Sequence, residues 1–233
     1  MEAEFSVPST EDLKDPALVT VEIGSEKTQF KVMKWILCHH SKYFRKAFSF
    51  DGIEAKSGKI TLEDVDETIF QHFLRYIYLR KFPYHIANCA KIDVGKLVGN
   101  LEEAARLFIF AEIYDVIELR RHCVQVFILT EKNDVWVSKR GDLSILSLVF
   151  NNVPETSSLY RLIADIEIYN LILKTEEETR IWMETVPKSL AVRKLFLESH
   201  GYRRMGHVLY SCDYHDHDSD ADRENCPIAD EIF

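Results

Sequence analysis

The spacing of apolar residues switches between two and three-or-four along the first third of the chain, and each switch marks an element. Val19, Val21 and Ile23 alternate with Thr20 and Glu22, the period of a half-buried strand. Gly24, Ser25, Glu26 and Lys27 supply turn chemistry. Residues 28–32 then offer a second strand with Phe30 and Val32 on one face, so a hairpin is expected. Residues 34–50 move to helical spacing, with Trp35, Ile36 and Leu37 followed by Tyr43, Phe44, Ala47 and Phe48. Ser41 stands between the two halves and can cap the second. A short strand over 59–62 comes next. Asp66 then caps a helix whose apolar stripe is Ile69, Phe70, Phe73, Leu74, Ile77 and Tyr78, stopped by Pro83.

The remainder reads as helical. Residues 87–100 have no clear period and include a loop. A helix over 101–113 turns Leu101, Ala104, Ala105, Phe108 and Ala111 inward, and Asp115 offers a cap for another bearing Leu119, Cys123, Val126 and Phe127. After the polar linker 131–134, helices are expected over 143–150, 157–174, 176–185 and 187–200. Thr175 with Glu178 has capping-box spacing, Pro187 suits a first turn, and Gly201 suits the position past a helix end. No internal repeat is visible. The division is a lead-in over 1–17, an α+β domain over 18–130, an all-α region over 131–206 and a tail over 207–233.

Charge changes this picture only at the end. The net charge is −9, and residues 211–233 hold eight acids against Arg223 alone, a balance of −7. The near-neutral body shows no basic stripe of the kind that meets phosphates, so no nucleic-acid partner is expected. No apolar run reaches the roughly 18 to 20 residues that span a bilayer, and the acidic start (Met1-Glu2-Ala3-Glu4) lacks a secretory signal. No membrane association is expected, and the cytoplasm or nucleus is the expected location. Five cysteines without framework spacing (Cys38, Cys89, Cys123, Cys212 and Cys226) agree with that.

Particular residues narrow the fold. The run from Phe30 through Trp35, Cys38, Ser41 and Tyr43 to Phe44 resembles the signature of the BTB/POZ family around its first helices. Glu54, the stretch Ile60-Thr61-Leu62-Glu63-Asp64-Val65 and the helix from Phe70 to Tyr78 resemble its central strand and following helix. Residues 101–119 are similar to its later helical hairpin. The overall style, with a long polar insertion and a helical extension, is similar to BTB proteins of filamentous fungi. The resemblance implies a small three-stranded sheet with surrounding helices and a non-catalytic protein–protein interaction module. Such a module mediates self-association or adaptor assembly, with itself or a cullin as partner. Two positions depart from the pattern. Met33 replaces the histidine common before the signature lysine, and Gly52 stands where cullin-binding members carry a hydrophobic residue two positions before the acid, here Glu54.

Aromatic residues near element ends supply large contact area with few rotors to freeze. Phe48, Phe50, Tyr78, Phe82 and Tyr84, with Glu54, are the candidate partner-binding residues. There is no phosphate-cradling glycine loop, no Gly-x-Ser-x-Gly turn and no His-Glu-x-x-His helix, and no small-molecule substrate is expected. Cys38-His39-His40 invites a thiol–histidine reading, but neighbours on a helix point in different directions. A thiol- or metal-dependent hydrolase is the minor alternative. In the tail, Cys212, His215, His217 and Cys226 are ligand types suited to a structural zinc. The same acidic segment also has the composition of a solvated tail, and both readings stand.

Overall fold

In the computed structural model the alternation at residues 19–23 becomes a central strand. The structure describes residues 17–49, 52–79, 94–132, 143–170, 177, 180, 181, 184, 211–214 and 220–224. Strand β1 (Leu18–Ile23) pairs antiparallel with β2 (Thr28–Met33) and parallel with β3 (Lys59–Leu62), giving a three-stranded mixed sheet of order β2-β1-β3. The turn between β1 and β2 takes positive φ at Gly24 (69°) and Lys27 (53°). Lys27 N–H donates to the Gly24 carbonyl, closing the loop. Val19, Val21 and Ile23 fill the inner face together with Val32, Ile60 and Leu62.

Helices α1 (Lys34–His40) and α2 (Lys42–Ser49) follow, then the short α3 (Ile53–Ser57), which ends on Gly58 at φ 63°. Helix α4 is Glu67–Leu79, α5 is Val94–Ile113 and α6 is Ile117–Lys132. Asp66 caps α4 as expected, its Oδ1 accepting from Thr68 N–H (2.8 Å) and Ile69 N–H (3.2 Å). Helices α7 (Leu143–Asn152), α8 (Ser158–Asn170) and α9 (Asp220–Glu224), with a 3₁₀ turn at Ser211–Asp213, complete the described elements.

The chain divides into two compact units, Met1–His85 with Phe110–Leu119 and Ile86–Ile109 with Arg120–Phe233. The first is centred on an aromatic cluster. Phe44 stacks on Tyr114 (5.6 Å between centroids, 6° between planes), and Phe110 meets Tyr114 at 4.5 Å and Phe73 at 4.9 Å. Each such ring contributes about 1.5–3 kcal/mol by burial alone. The described elements of the second unit are helical. Leu107 and Phe108, Cys123 and Phe127, Leu146 and Val149, and Leu162 and Ile163 are all buried. Ser157 starts α8, its Oγ accepting from Tyr160 N–H.

Several local expectations are revised. Helix α5 begins at Val94, inside the stretch read as partly loop. Asp115 lies two residues before α6. It takes a left-handed conformation (φ 49°), and its carbonyl accepts from Lys42 N–H. The buried side of α4 is Ile69, Phe70, Phe73, Tyr76 and Ile77, which leaves Tyr78 outside the core. Residues 177, 180, 181 and 184 are helical, with Arg180 bridging Glu177 and Glu184. Thr175, Glu178, Pro187 and Gly201 lie outside the described residues.

Candidate protein-interaction site

Ser41 holds together the elements that carry the surface. It breaks α1 from α2 and is fully buried. Its Oγ accepts from Phe44 N–H at 3.1 Å, capping α2, and donates to the Tyr114 carbonyl at 2.6 Å. One hydroxyl therefore caps α2 and reaches a carbonyl 73 positions further along the chain. Arg45 completes the joint by donating to the Cys38 carbonyl (3.0 Å) at the end of α1.

On the outward face of the sheet, Glu22 is 4% exposed even though it points away from the apolar core. It receives Gln29 Nε2 at 2.9 Å, Thr61 Oγ1 at 3.1 Å and Lys59 Nζ at 2.8 Å. The Lys59 and Gln29 contacts hold its carboxyl below the ordinary 4.5. This network links all three strands.

Apolar surface is exposed at the end of the sheet. Leu18 is 57% exposed and pairs with Met33, whose N–H donates to Tyr78 Oη at 3.1 Å. Tyr78 is 43% exposed, and Leu79 beside it is 61% exposed. Leu18, Met33 and Tyr78 thus form one cluster at the Leu18 end of the hairpin. A second exposed apolar residue, Ile53, opens α3 at 82% exposure and adjoins half-buried Glu54.

The sequence-derived candidates separate. Tyr78 is at the surface and Glu54 is partly accessible. Phe48 is only 2% exposed and belongs to the core, because its four-residue spacing from Phe44 puts both rings on the buried side of α2. It is withdrawn as a contact residue. Phe50, Phe82 and Tyr84 lie outside the described residues. Leu18, Leu79 and Ile53 were missed. An isolated apolar residue at the first or last position of a strand or helix carries no period by which to find it.

The thiol–histidine reading of Cys38 fails on geometry. The side chain is fully buried, its Sγ lies 3.7 Å from the Phe44 carbonyl, and burial pushes the thiol up to about 11. His39 and His40 pack edge to face at 4.8 Å, and His40 Nδ1 lies 3.8 Å from Glu118. Cys123 is likewise buried, and its thiol is pushed well up.

Of the tail ligands only Cys212 is described, and it is half-buried; His215, His217 and Cys226 lie outside the described residues. Among the described residues no group of three or more His, Cys, Asp or Glu is placed to hold a metal. Tyr214, which carried no sequence signal, is 4% exposed and donates to Asp165 Oδ2 of α8 at 3.0 Å.

The decisive comparison is with the family model "BTB/POZ domain", which matches residues 10–131, just over half of the chain. The chain belongs to the BTB/POZ domain family. The mixed sheet and its helices are the fold of that family, which is usually a non-catalytic interaction module. This BTB/POZ chain is also similar to Kelch repeat protein M-T8 of Myxoma virus (strain Lausanne), at 27% identity over 160 residues. The likeness covers 60% of the chain and 31% of the viral protein, so the chain spans less than a third of that relative's length. A fungal origin draws no support from a relative of viral source. No helix among the described residues is long and apolar enough to cross a membrane.

Proposed function

We propose that this BTB/POZ chain is an interaction module that self-associates, or assembles an adaptor, through the exposed apolar cluster of its first unit. The observation that carries the reading is the joining of Leu18, Met33 and Tyr78 by strand register and by the Met33–Tyr78 hydrogen bond. Large apolar side chains gathered at a surface gain most when a partner covers them. A second copy presents the same cluster, so a two-fold contact is self-complementary. The working domain is 18–130, with 131–206 offering a second surface. Light scattering across a concentration series tests this, with a dimer expected for the natural chain and a monomer for Leu18→Glu/Tyr78→Glu. A natural chain that stays monomeric and recovers no partner from its native lysate overturns the proposal.

Ile53 supports a second reading, that of a substrate adaptor in a cullin-based ubiquitin ligase. Gly52 lacks the family's hydrophobic anchor, but Ile53 presents an apolar side chain one position later, beside Glu54. Titration against a cullin amino-terminal domain is the test. Binding that is lost in Ile53→Arg supports the reading, and no binding at tens of micromolar removes it. The tail ligands Cys212, His215, His217 and Cys226 are proposed as a structural zinc set on the chemistry of the residue types alone. Metal analysis of untagged protein checks it. Zinc near zero, unchanged by Cys212→Ser, ends it.

A further inference from the structure

The average charge of the chain conceals one segregated stretch. Between Glu26 and Asp51 there are six cations (Lys27, Lys31, Lys34, Lys42, Arg45 and Lys46) and no acid, in a protein of net charge −9. The structure gathers part of this onto one helix. Phe44 and Phe48 turn α2 into the core, and Lys42, Tyr43, Lys46 and Ser49 are exposed at the spacing of a single outward face.

The cations of this region differ in what they already do. Arg45 is committed to the carbonyls at the end of α1, and Lys59 is committed to Glu22. Lys42 and Lys46 form no ion pair among the described residues, although acids outnumber bases in the chain. Tyr43 lies between them, 39% exposed, with its ring set edge-on to Tyr114 (5.0 Å, 85°) and Phe44 (5.4 Å, 87°). An aromatic ring packed edge-on beside two ammonium groups that lie one helical turn apart makes a compact docking face.

We propose that this face of α2 receives an acidic segment of a partner protein, with carboxylates meeting Lys42 and Lys46 and an apolar side chain meeting Tyr43. The proposal rests on the interaction-module reading and assigns the partner's chemistry. Charge complementarity favours a short acidic segment over a nucleic acid. At physiological salt a charge is felt over only about 8 Å, so a short segment meets chiefly the cations of α2. The charges of the domain are mixed: residues 18–130 carry fourteen acids beside sixteen bases, so a long polyanion finds no continuous basic path outside α2.

The test is fluorescence anisotropy on the full chain. One labelled peptide carries Glu at four-residue spacing around a Leu, a second carries Gln in place of Glu, and a labelled DNA duplex is the third probe. The Glu peptide is expected to bind, and to bind more weakly as salt is raised. Lys42→Glu/Lys46→Glu is expected to weaken it at least about tenfold, the scale of losing two charge pairs and gaining repulsion. Lys27→Glu/Lys31→Glu, the same charge change placed on the hairpin, is expected to weaken it less than about threefold, the long-range share alone. Circular dichroism confirms that each variant is folded, and Lys42→Gln/Lys46→Gln replaces the reversal if that one is not. No binding of the Glu peptide, equal loss in both double variants, or tighter binding of the DNA duplex overturns the proposal. Light scattering on the same samples keeps the two readings apart. A monomer that binds the peptide refutes self-association alone, and a dimer that does not bind it refutes the acidic partner alone.

Discussion

Replacing Ser41 with alanine removes one oxygen and leaves two backbone groups without their partners. Phe44 N–H loses its cap, which is worth about 1 kcal/mol in a typical helix. The Tyr114 carbonyl loses a 2.6 Å bond in a buried site, and a buried acceptor left unsatisfied costs about 1–3 kcal/mol. Because Ser41 is fully buried, water does not replace either contact without the structure opening. The expected loss is about 2–4 kcal/mol, or a melting midpoint lower by roughly 5 to 15 °C for a protein of this size. Urea unfolding followed by circular dichroism measures it, with the slope of the transition compared between variants. Ser41→Thr keeps the hydroxyl and adds a methyl, so it is expected to lose less than alanine. A loss below about 0.5 kcal/mol in Ser41→Ala, the level of an ordinary surface change, refutes the reasoning.

The other predictions are briefer. Lys59 and Gln29 lower the Glu22 carboxyl from 4.5, so its contribution is complete above that value and fades as pH falls through the lowered one; Glu22→Gln is expected to flatten the acid limb of a stability-versus-pH curve, and an unchanged limb counts against the network. Cys38 is expected to resist a thiol reagent until the protein unfolds, with half-buried Cys212 modified first in a site-resolved mass measurement; early labelling of Cys38 contradicts the burial. Tyr214→Phe deletes the bond to Asp165 and is expected to cost about 1 kcal/mol, measured by urea unfolding. Tyr214→Ala is expected to speed proteolysis beyond residue 214, and an unchanged digestion pattern argues against Tyr214 as an anchor.

Local rules were legible wherever one residue determines one element. Alternation set β1 and β2, Ser41 and Asp66 announced their caps, and the stripe from Ile69 to Ile77 located α4. What escaped depends on distant partners. Tyr76 is buried and Tyr78 is exposed, because the Tyr78 hydroxyl reaches the Met33 backbone across 45 positions, and no local period encodes that. Glu22 reads as a solvated strand residue until Gln29, Lys59 and Thr61 close over it. Phe48 looked like a contact residue from its place near a helix end, but on α2 it shares the inward direction of Phe44. Tyr214 sat in an acidic stretch whose composition gave no sign of its anchor 49 positions earlier.

The first unit takes its last ten residues, Phe110–Leu119, from beyond a stretch assigned to the other unit. A ribosome making this chain therefore releases the hairpin, α1 and α2 well before the Tyr114 carbonyl that Ser41 needs. Until Phe110 and Tyr114 emerge, Phe44, Phe70 and Phe73 lack the rings that cover them. Nascent chains arrested short of residue 110 are thus a natural target for chaperones, and a gene fragment intended to yield the first unit alone must run through Leu119.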